Sequence, residues 1–244
     1  MGEKSISPAE KSAYIRRMFN DVSRRYDLLN HLLSAGVDHY WRRRAIRMSG
    51  LSEGEVFLDL ACGTGDLSIE AEKSKPARIV AVDFAEKMLG VLVEKKAPCK
   101  NSRVDAVQAN AERLPFSDCT FDAAAVAFGV RNFGDLRAGL RELRRVIKKN
   151  GRVVVLEFSK PAAFPIRQIY FFYFKKILPF IGRLVSGDEA AYTYLPKSVA
   201  AFPDGEAFEN ILRESDFREV RSVSLTFGIA TAYFGKKQET DEQD

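Results

Sequence analysis

Asp59, Gly63, Gly65 and Asp83 are the residues whose types and spacing point most directly to chemistry in this chain. A short apolar run, Val56-Phe57-Leu58-Asp59-Leu60, breaks into the turn Ala61-Cys62-Gly63-Thr64-Gly65-Asp66. A second run, Ile79-Val80-Ala81-Val82, ends on Asp83. Glycine tolerates the positive φ and close backbone approach that such a turn needs when a ligand lies against it. A carboxylate about 20 residues further on, at the next strand end, is where nucleotide-binding α/β folds hold ribose hydroxyls. The pattern announces a nucleoside-containing cofactor.

The neighbours of the glycines discriminate between nucleosides. A dinucleotide fingerprint, G-x-G-x-x-G/A, sets a pyrophosphate on the helix N-terminus and uses its last small residue for tight helix packing. Here Asp66 opens the helix and Ser68 holds the last position. An acid at that place repels a pyrophosphate. S-adenosylmethionine carries no phosphate, and Asp59 or Asp66 would attract the ammonium of its methionine end. The form D-x-A-C-G-T-G-D therefore favours S-adenosylmethionine. Asn110-Ala111-Glu112 closes the third apolar run, where the amide of Asn110 can hydrogen-bond an adenine edge. Phe128-Gly129-Val130-Arg131-Asn132 follows the fourth. Open α/β sheets bind ligands outside the carboxyl ends of their strands, so Arg131 and Asn132 are candidates for acceptor chemistry.

The elements that must position these groups follow from periodicity. Residues 9–50 read as helical, with Ala13, Met18, Phe19, Val22, Tyr26, Leu29 and Leu33 at helical spacing. Gly36 punctuates before a second helix around Trp41 and Ile46. Beyond residue 56, apolar runs at 56–60, 79–82, 104–107, 121–128 and 152–158 alternate with amphipathic stretches near 66–74, 86–96 and 135–148. Strands alternating with helices imply βαβ units and a parallel sheet. Asn150-Gly151 reads as the C-cap of the third of these helices. After Pro161 the rhythm breaks: residues 164–185 are aromatic-rich, interrupted by Pro165 and Pro179, and dotted with Arg167, Lys175, Lys176 and Arg183. A helix resumes near 205–214, and runs at 217–226 and 229–234 predict a closing hairpin. The organisation expected is a helical cap over 1–50, a cofactor-binding domain over 51–238 with an insertion at 160–204, and a disordered polar tail over 239–244.

Bulk properties narrow the partners. The 244 residues are 46% hydrophobic and 29% charged, enough for a single large α/β domain with a sizeable core. A net charge of +5 suits an anionic surface such as lipid headgroups, or simply a solubilising excess of Lys and Arg. No stripe of cations interleaved with stacking aromatics lies near Arg131, which argues against nucleic acid. Cys62, Cys99 and Cys119 form no C-x-x-C pair, so neither a disulfide framework nor a zinc site is expected. The first residues lack an apolar signal region, and no uncharged run has the length of a membrane span. The expectation is a cytoplasmic protein, peripheral at most at the inner face of the membrane.

Longer blocks of sequence resemble one family. Tyr26-Asp27-Leu28-Leu29-Asn30 with Leu33-Ser34-x-Gly36 and Trp41-Arg42-Arg43, the Phe128–Asn132 block, and Gly151-Arg152-Val153-Val154-Val155-Leu156-Glu157-Phe158-Ser159-Lys160-Pro161 carry the resemblance. So do Tyr192-x-Tyr194-Leu195-Pro196-x-Ser198, Phe202-Pro203 and Gly228-Ile229. The chain resembles, from about residue 14 to 237, the C-methyltransferases of ubiquinone and menaquinone biosynthesis, which methylate a polyprenylated quinol ring with S-adenosylmethionine. The resemblance implies a class I methyltransferase fold, Rossmann-like: a mostly parallel seven-stranded sheet with helices on both faces and an antiparallel C-terminal hairpin. It also implies cofactor contact by Gly63, Thr64, Gly65, Asp83, Asn110 and Ala111. Two departures stand out. Ala127 replaces a Ser frequent in the family, and Gly36-Val37-Asp38-His39 stands where many members read Gly-Ile-His-Arg, so neither His31 nor His39 is carried over as catalytic.

On that reading a demethylmenaquinol is the leading acceptor, with a 2-polyprenyl-6-methoxy-1,4-benzoquinol or another lipophilic phenol as alternatives. Methyl transfer from a sulfonium asks the protein to hold a ring carbon at attack distance and to make that ring electron-rich. A phenolic proton has a pKa of about 10 in water, and a neighbouring cation lowers it. Arg131 is the expected cation and Asn132 the group that orients the ring oxygen. Tyr26 and Asp27 are expected to close over the acceptor, with Asp27 or a water taking the proton. The aromatic segment 164–185 has the composition of an interfacial element, or of a cap or homo-oligomer face.

Overall fold

Apolar runs bounded by turn residues become strands, and the computed structural model, which describes residues 7–173, 177 and 189–238, assembles seven of them into one sheet. The strands are β1 (Val56–Leu60), β2 (Arg78–Asp83), β3 (Val104–Gln108), β4 (Phe121–Ala127), β5 (Ile147–Phe158), β6 (Phe217–Leu225) and β7 (Ala230–Lys237). Their order is β3-β2-β1-β4-β5-β7-β6. β1 to β5 run parallel, and β7 pairs antiparallel with both β5 and β6. The sheet order reverses between β1 and β4, and the crevice outside the carboxyl ends at such a switch point is where ligands bind.

The described helices are α1 (Pro8–Leu33), α2 (Val37–Ser49), α3 (Asp66–Ala71), α4 (Glu86–Lys96), α5 (Leu136–Val146), α6 (Ile166–Phe172), α7 (Glu189–Ala201) and α8 (Glu206–Glu214). Alternation along each strand divides the core. Phe57, Ile79 and Ala81 face Trp41, Ile46, Leu67 and Leu92 from α2, α3 and α4. Leu58, Leu60, Val80 and Val126 face Leu140, Leu143 and Val146 from α5 and Phe208 and Leu212 from α8. Burial on both faces is what keeps these strands continuously apolar. Truncating one such side chain to Ala removes about 2–5 kcal/mol, transfer and cavity terms together.

Helix α1 lies over the carboxyl edge. Its Ile15, Met18 and Val22 are buried. Lys11 Nζ donates to the carbonyl of Phe133 at 2.6 Å, and the Asn20 side chain accepts from Lys87 N at 3.0 Å. One expectation is corrected. The helix predicted over 135–148 ends at Val146, and Asn150-Gly151 is not its C-cap. Ile147 is fully buried and already pairs with Phe121, so its apolar side chain is better served by the sheet. Asn150, at φ 61°, kinks the chain inside β5, where a Cβ on Gly151 would stand 2.3 Å from Ile147.

Candidate active site

Two chambers open under α1 and share a wall of Phe19, Tyr26 and Phe128. The smaller, of about 90 Å³, is lined by Gly63, Asp83, Asn110, Ala111, Gly129 and Asn132 among others. Asp83, at the end of β2, accepts Gly63 N on Oδ2 and Ala85 N on Oδ1, each at 2.8 Å. Burial pushes its carboxyl up against these backbone donors. Each oxygen keeps a lone pair for a ligand diol. Gly63 has φ +56°, and a Cβ there would still clear its nearest neighbour, Tyr26 Cε1, at 3.9 Å; the chain leaves that face open to a ligand. Gly65 serves differently: at φ +84° its Cβ would lie 2.1 Å from Leu92 Cδ1, so it is glycine because α4 packs there. Asn110 Oδ1 accepts from Glu112 N at 3.0 Å, so the donor it can offer a base is its NH2 group.

Behind the loop, Asp59 is 0% exposed. Its Oδ2 accepts from Ser68 Oγ at 2.5 Å, while Oδ1 finds no donor among the described residues. Burial, with Ser68 opposing and Asp83 adding to it, pushes this carboxyl up to about 7. Asp59, Thr64 and Gly65 line neither chamber. The Asp83 carboxylate and the open positive-φ Gly63 form a cradle that suits a ribose, with the orphaned Asp59 oxygen behind it and off the chamber wall. They offer no cluster of N–H donors for a pyrophosphate.

The larger chamber, of about 400 Å³, is walled mainly by Trp41, Phe128, Phe158, Ile166, Tyr170 and Leu195. Trp41, the only tryptophan in the chain, donates from Nε1 to Thr226 Oγ1 at 2.8 Å. Phe128 has φ 59°, a strained setting for a bulky residue, and is fixed by Leu156 O at 2.7 Å and by the Phe158 ring at 4.6 Å. Arg131 reaches this wall, its guanidinium held by Glu157 Oε1 at 2.5 Å and by the Phe128 carbonyl. Arg131 Nε is buried and has no acceptor among the described residues. Ile169, 61% exposed, and Phe227, 76% exposed, line the chamber while facing solvent, and so mark its mouth.

The model of the ubiE/COQ5 methyltransferase family matches residues 8–237. The chain belongs to that family. A relative from Geobacter sulfurreducens, named ubiquinone/menaquinone biosynthesis C-methyltransferase UbiE, is 46% identical, covering 93% of this chain and 90% of its own. A demethylmenaquinone methyltransferase from Thermus thermophilus is 44% identical, covering 90% and 100%. Among solved structures, a SAM-dependent methyltransferase from Aquifex aeolicus aligns with a TM-score of 0.57 at 19% identity over 80% of this chain and 89% of its own. The cyclase SpnF aligns at 0.68 and 15% identity, over 98% and 100%. Such distant likeness speaks for the fold alone, and a cyclase on the same frame shows why function must be argued from the site. The enzyme is an S-adenosylmethionine-dependent methyltransferase with the class I fold.

In this methyltransferase the expected site residues separate into three groups. Gly63, Asp83, Asn110, Ala111 and Asn132 meet at the smaller chamber, and Tyr26 stands between the two. Arg131 stands on the larger, while Asn132 is not on that wall: its Oδ1 accepts from Tyr194 OH at 3.0 Å. Asp27, expected as a proton acceptor, reaches neither chamber. It accepts from Thr64 Oγ1 and pairs with Lys95 at 2.6 Å, tying the end of α1 to the glycine loop. Asp66, expected to attract an ammonium, is already met by Lys95 at 2.6 Å and Arg42 at 3.5 Å. Burial raises its carboxyl, but Arg42 and Lys95 outweigh that and hold it below the usual range. Glu157, Trp41, Tyr170 and Tyr194 were given no site role from sequence. For Glu157 the signal was there: one acid inside the run Val153–Phe158 has to be buried and paired. Lys175, Lys176 and Arg183 of the aromatic segment and the tail over 239–244 lie outside the described residues.

Proposed function

We propose that this enzyme methylates a ring carbon of a polyprenylated quinol, with demethylmenaquinol as its acceptor. The observation that carries the reading is the apolar chamber of about 400 Å³ beside the cofactor cradle, within the size range of small-molecule sites. The names of the relatives, which mention ubiquinone, menaquinone and demethylmenaquinone, support the acceptor class. Bound S-adenosylmethionine supplies a methyl group already activated on a sulfonium sulfur. Asp83, Gly63 and Asn110 would hold it, and the protein's remaining task is position and charge.

Arg131 stands on the acceptor wall, where its guanidinium would lie beside a quinol oxygen. Its charge favours the phenolate and so the electron-rich ring. Glu157 lies off the wall, behind the guanidinium, and fixes its aim. Burial raises the Tyr26 phenol, so Tyr26 keeps its proton and can donate to a ring oxygen at the partition. Phe128, Phe158 and Trp41 exclude water and give the ring flat surfaces to stack on.

The mouth supplies the route for the prenyl chain. Phe164 and Phe172, at 82% and 61% exposure, lie with Ile169 on the same short segment, and Arg167 offers a cation beside them. No described helix is long and apolar enough to cross a membrane, so this face would dip into an interface rather than span it. The test is methyl transfer from labelled S-adenosylmethionine to demethylmenaquinol, to the benzoquinol and to a water-soluble phenol. Label on demethylmenaquinol is expected. Transfer to the benzoquinol alone would assign the enzyme to the other pathway, and transfer only to the soluble phenol would refute the lipid acceptor.

A further inference from the structure

Replacing a ring C–H by C–CH3 with a sulfonium methyl breaks one C–S bond, forms one C–C bond, turns the sulfonium into a neutral thioether and leaves one proton over. That proton arises in an apolar chamber whose mouth the prenyl chain fills. Among the described residues, the wall carries tyrosines, two arginines and one carboxylate, Asp38. Burial raises the tyrosines, which therefore hold their protons, and arginine does not give its proton up. Glu157 lies behind Arg131, wholly buried and with no route outward.

Asp38 does have a route. Its Oδ1 accepts from Ser34 Oγ at 2.8 Å, and its Oδ2 meets both Arg42 Nη1 and His31 Nδ1, the latter at 2.8 Å. A carboxylate offers about four lone-pair sites, so one on Oδ1 remains for a ligand hydroxyl. The His31 side chain is 30% exposed and reaches from that buried carboxylate to solvent. Its ring stacks on His39 at 4.4 Å, and Nε2 stands 3.7 Å from Asp66, itself paired with Arg42 and Lys95. The charges facing His31 are thus Asp38 and Arg42 on α2, Asp66 on α3 and Lys95 on α4, with Asp27 on its own helix beyond Lys95.

We propose that Asp38 and His31 form the proton exit of the acceptor chamber, Asp38 receiving the quinol proton and His31 passing it to water. The proposal rests on the quinol reading above. In the step, the phenolic O–H bond breaks and its proton goes to Asp38; once the C–C bond has formed, the ring C–H bond breaks and its proton returns to the phenolate oxygen, so the quinol is restored and one proton remains to leave. From Asp38 it moves to the free Nδ1 of His31 in its Nε2–H tautomer, the imidazolium loses a proton from Nε2 to solvent, and tautomer exchange on the partly exposed ring restores the starting form. Burial raises the Asp38 carboxyl, but Arg42, Ser34 and His31 together hold it below the usual range, so the proton does not stay there. Histidine is the side-chain type that carries a proton on and off near neutrality.

The experiment uses His31→Gln and His31→Ala with demethylmenaquinol as acceptor. Gln keeps an amide beside Asp38 and cannot titrate. Expected is a fall in kcat of about 10- to 100-fold in both variants, the lower part of the general-base range, with S-adenosylmethionine affinity unchanged. The part of the wild-type pH dependence carried by His31 should vanish in both variants, and added imidazole should restore His31→Ala at least several-fold. A merely structural histidine moves none of these in the Gln variant. If wild type turns over and His31→Gln keeps its rate and pH profile, the relay is overturned while the quinol reading stands. If wild type transfers no methyl to any quinol, both fall together.

Discussion

Asp59→Asn isolates the cost of the buried carboxyl behind the glycine loop. In the folded protein this group is pushed up to about 7 from an ordinary 3.8, because it is wholly buried and only Ser68 donates to it. The folded chain therefore holds the proton after the unfolded chain has released it. Stability falls as pH rises from about 4 to about 7, and stays lowered above that. About 3 pK units at about 1.4 kcal/mol each make the loss about 4 kcal/mol. Asn has no charge to desolvate, so Asp59→Asn lacks this slope. It carries a constant offset of about 1–3 kcal/mol if its buried NH2 finds no acceptor. Urea unfolding of the ligand-free protein and the variant, measured from pH 4 to pH 8, reads the difference directly. The variant should gain on wild type by about 4 kcal/mol across that range, whatever the offset. Parallel curves would show that Asp59 is ionised and stabilised in the fold, and the account of the orphaned oxygen would be wrong. If that oxygen faces the cofactor's ammonium, the same variant binds S-adenosylmethionine more weakly at pH 8.

Asp83→Ala removes both the carboxylate facing the cradle and the partner of two backbone N–H groups, and calorimetry should find S-adenosylmethionine affinity lowered by about 100-fold or more, since bonds to a charged group contribute about 1.5–3 kcal/mol each. Trp41, alone of its kind and on the chamber wall, should lose fluorescence when a quinone analogue binds, and the cofactor by itself should leave most of the signal intact. Ile169→Asp with Phe227→Ser should abolish sedimentation with anionic vesicles while leaving cofactor affinity as it is; undiminished sedimentation would place the lipid contact elsewhere.

Much of the sheet was legible because each strand is a short apolar run closed by a turn residue, and the chemistry of such a fold sits at the strand ends. Gly63, Asp83 and Asn110 could be placed for that reason. The error at Asn150-Gly151 has the same origin in reverse: the dipeptide signals a turn, and periodicity does not say whether a helix or a strand is turning. Asp27, Asp66, Arg42 and Lys95 were illegible as a group because they come from four helices, and ion pairs between elements leave no spacing in one sequence. Gly65 shows the limit of motif reading: its φ of +84° and the close approach of Leu92 also call for glycine there, and a motif does not separate those reasons from a ligand's.

Helix α1 gives Ile15 and Phe19 to the cofactor chamber and Met18, Val22 and Asn30 to the acceptor chamber. One roof covers two rooms. On the proposed function, any displacement of that helix large enough to exchange the spent cofactor would also uncover the quinol ring, whereas the chamber mouth at Ile169 and Phe227 belongs to other parts of the chain. Turnover would then have a built-in sequence: the lipid would enter and leave sideways under a closed roof, and the nucleoside would exchange only when the ring's place can be lost as well. On the proposed function, an enzyme so arranged would add one methyl at a time to a substrate that need not leave its bilayer.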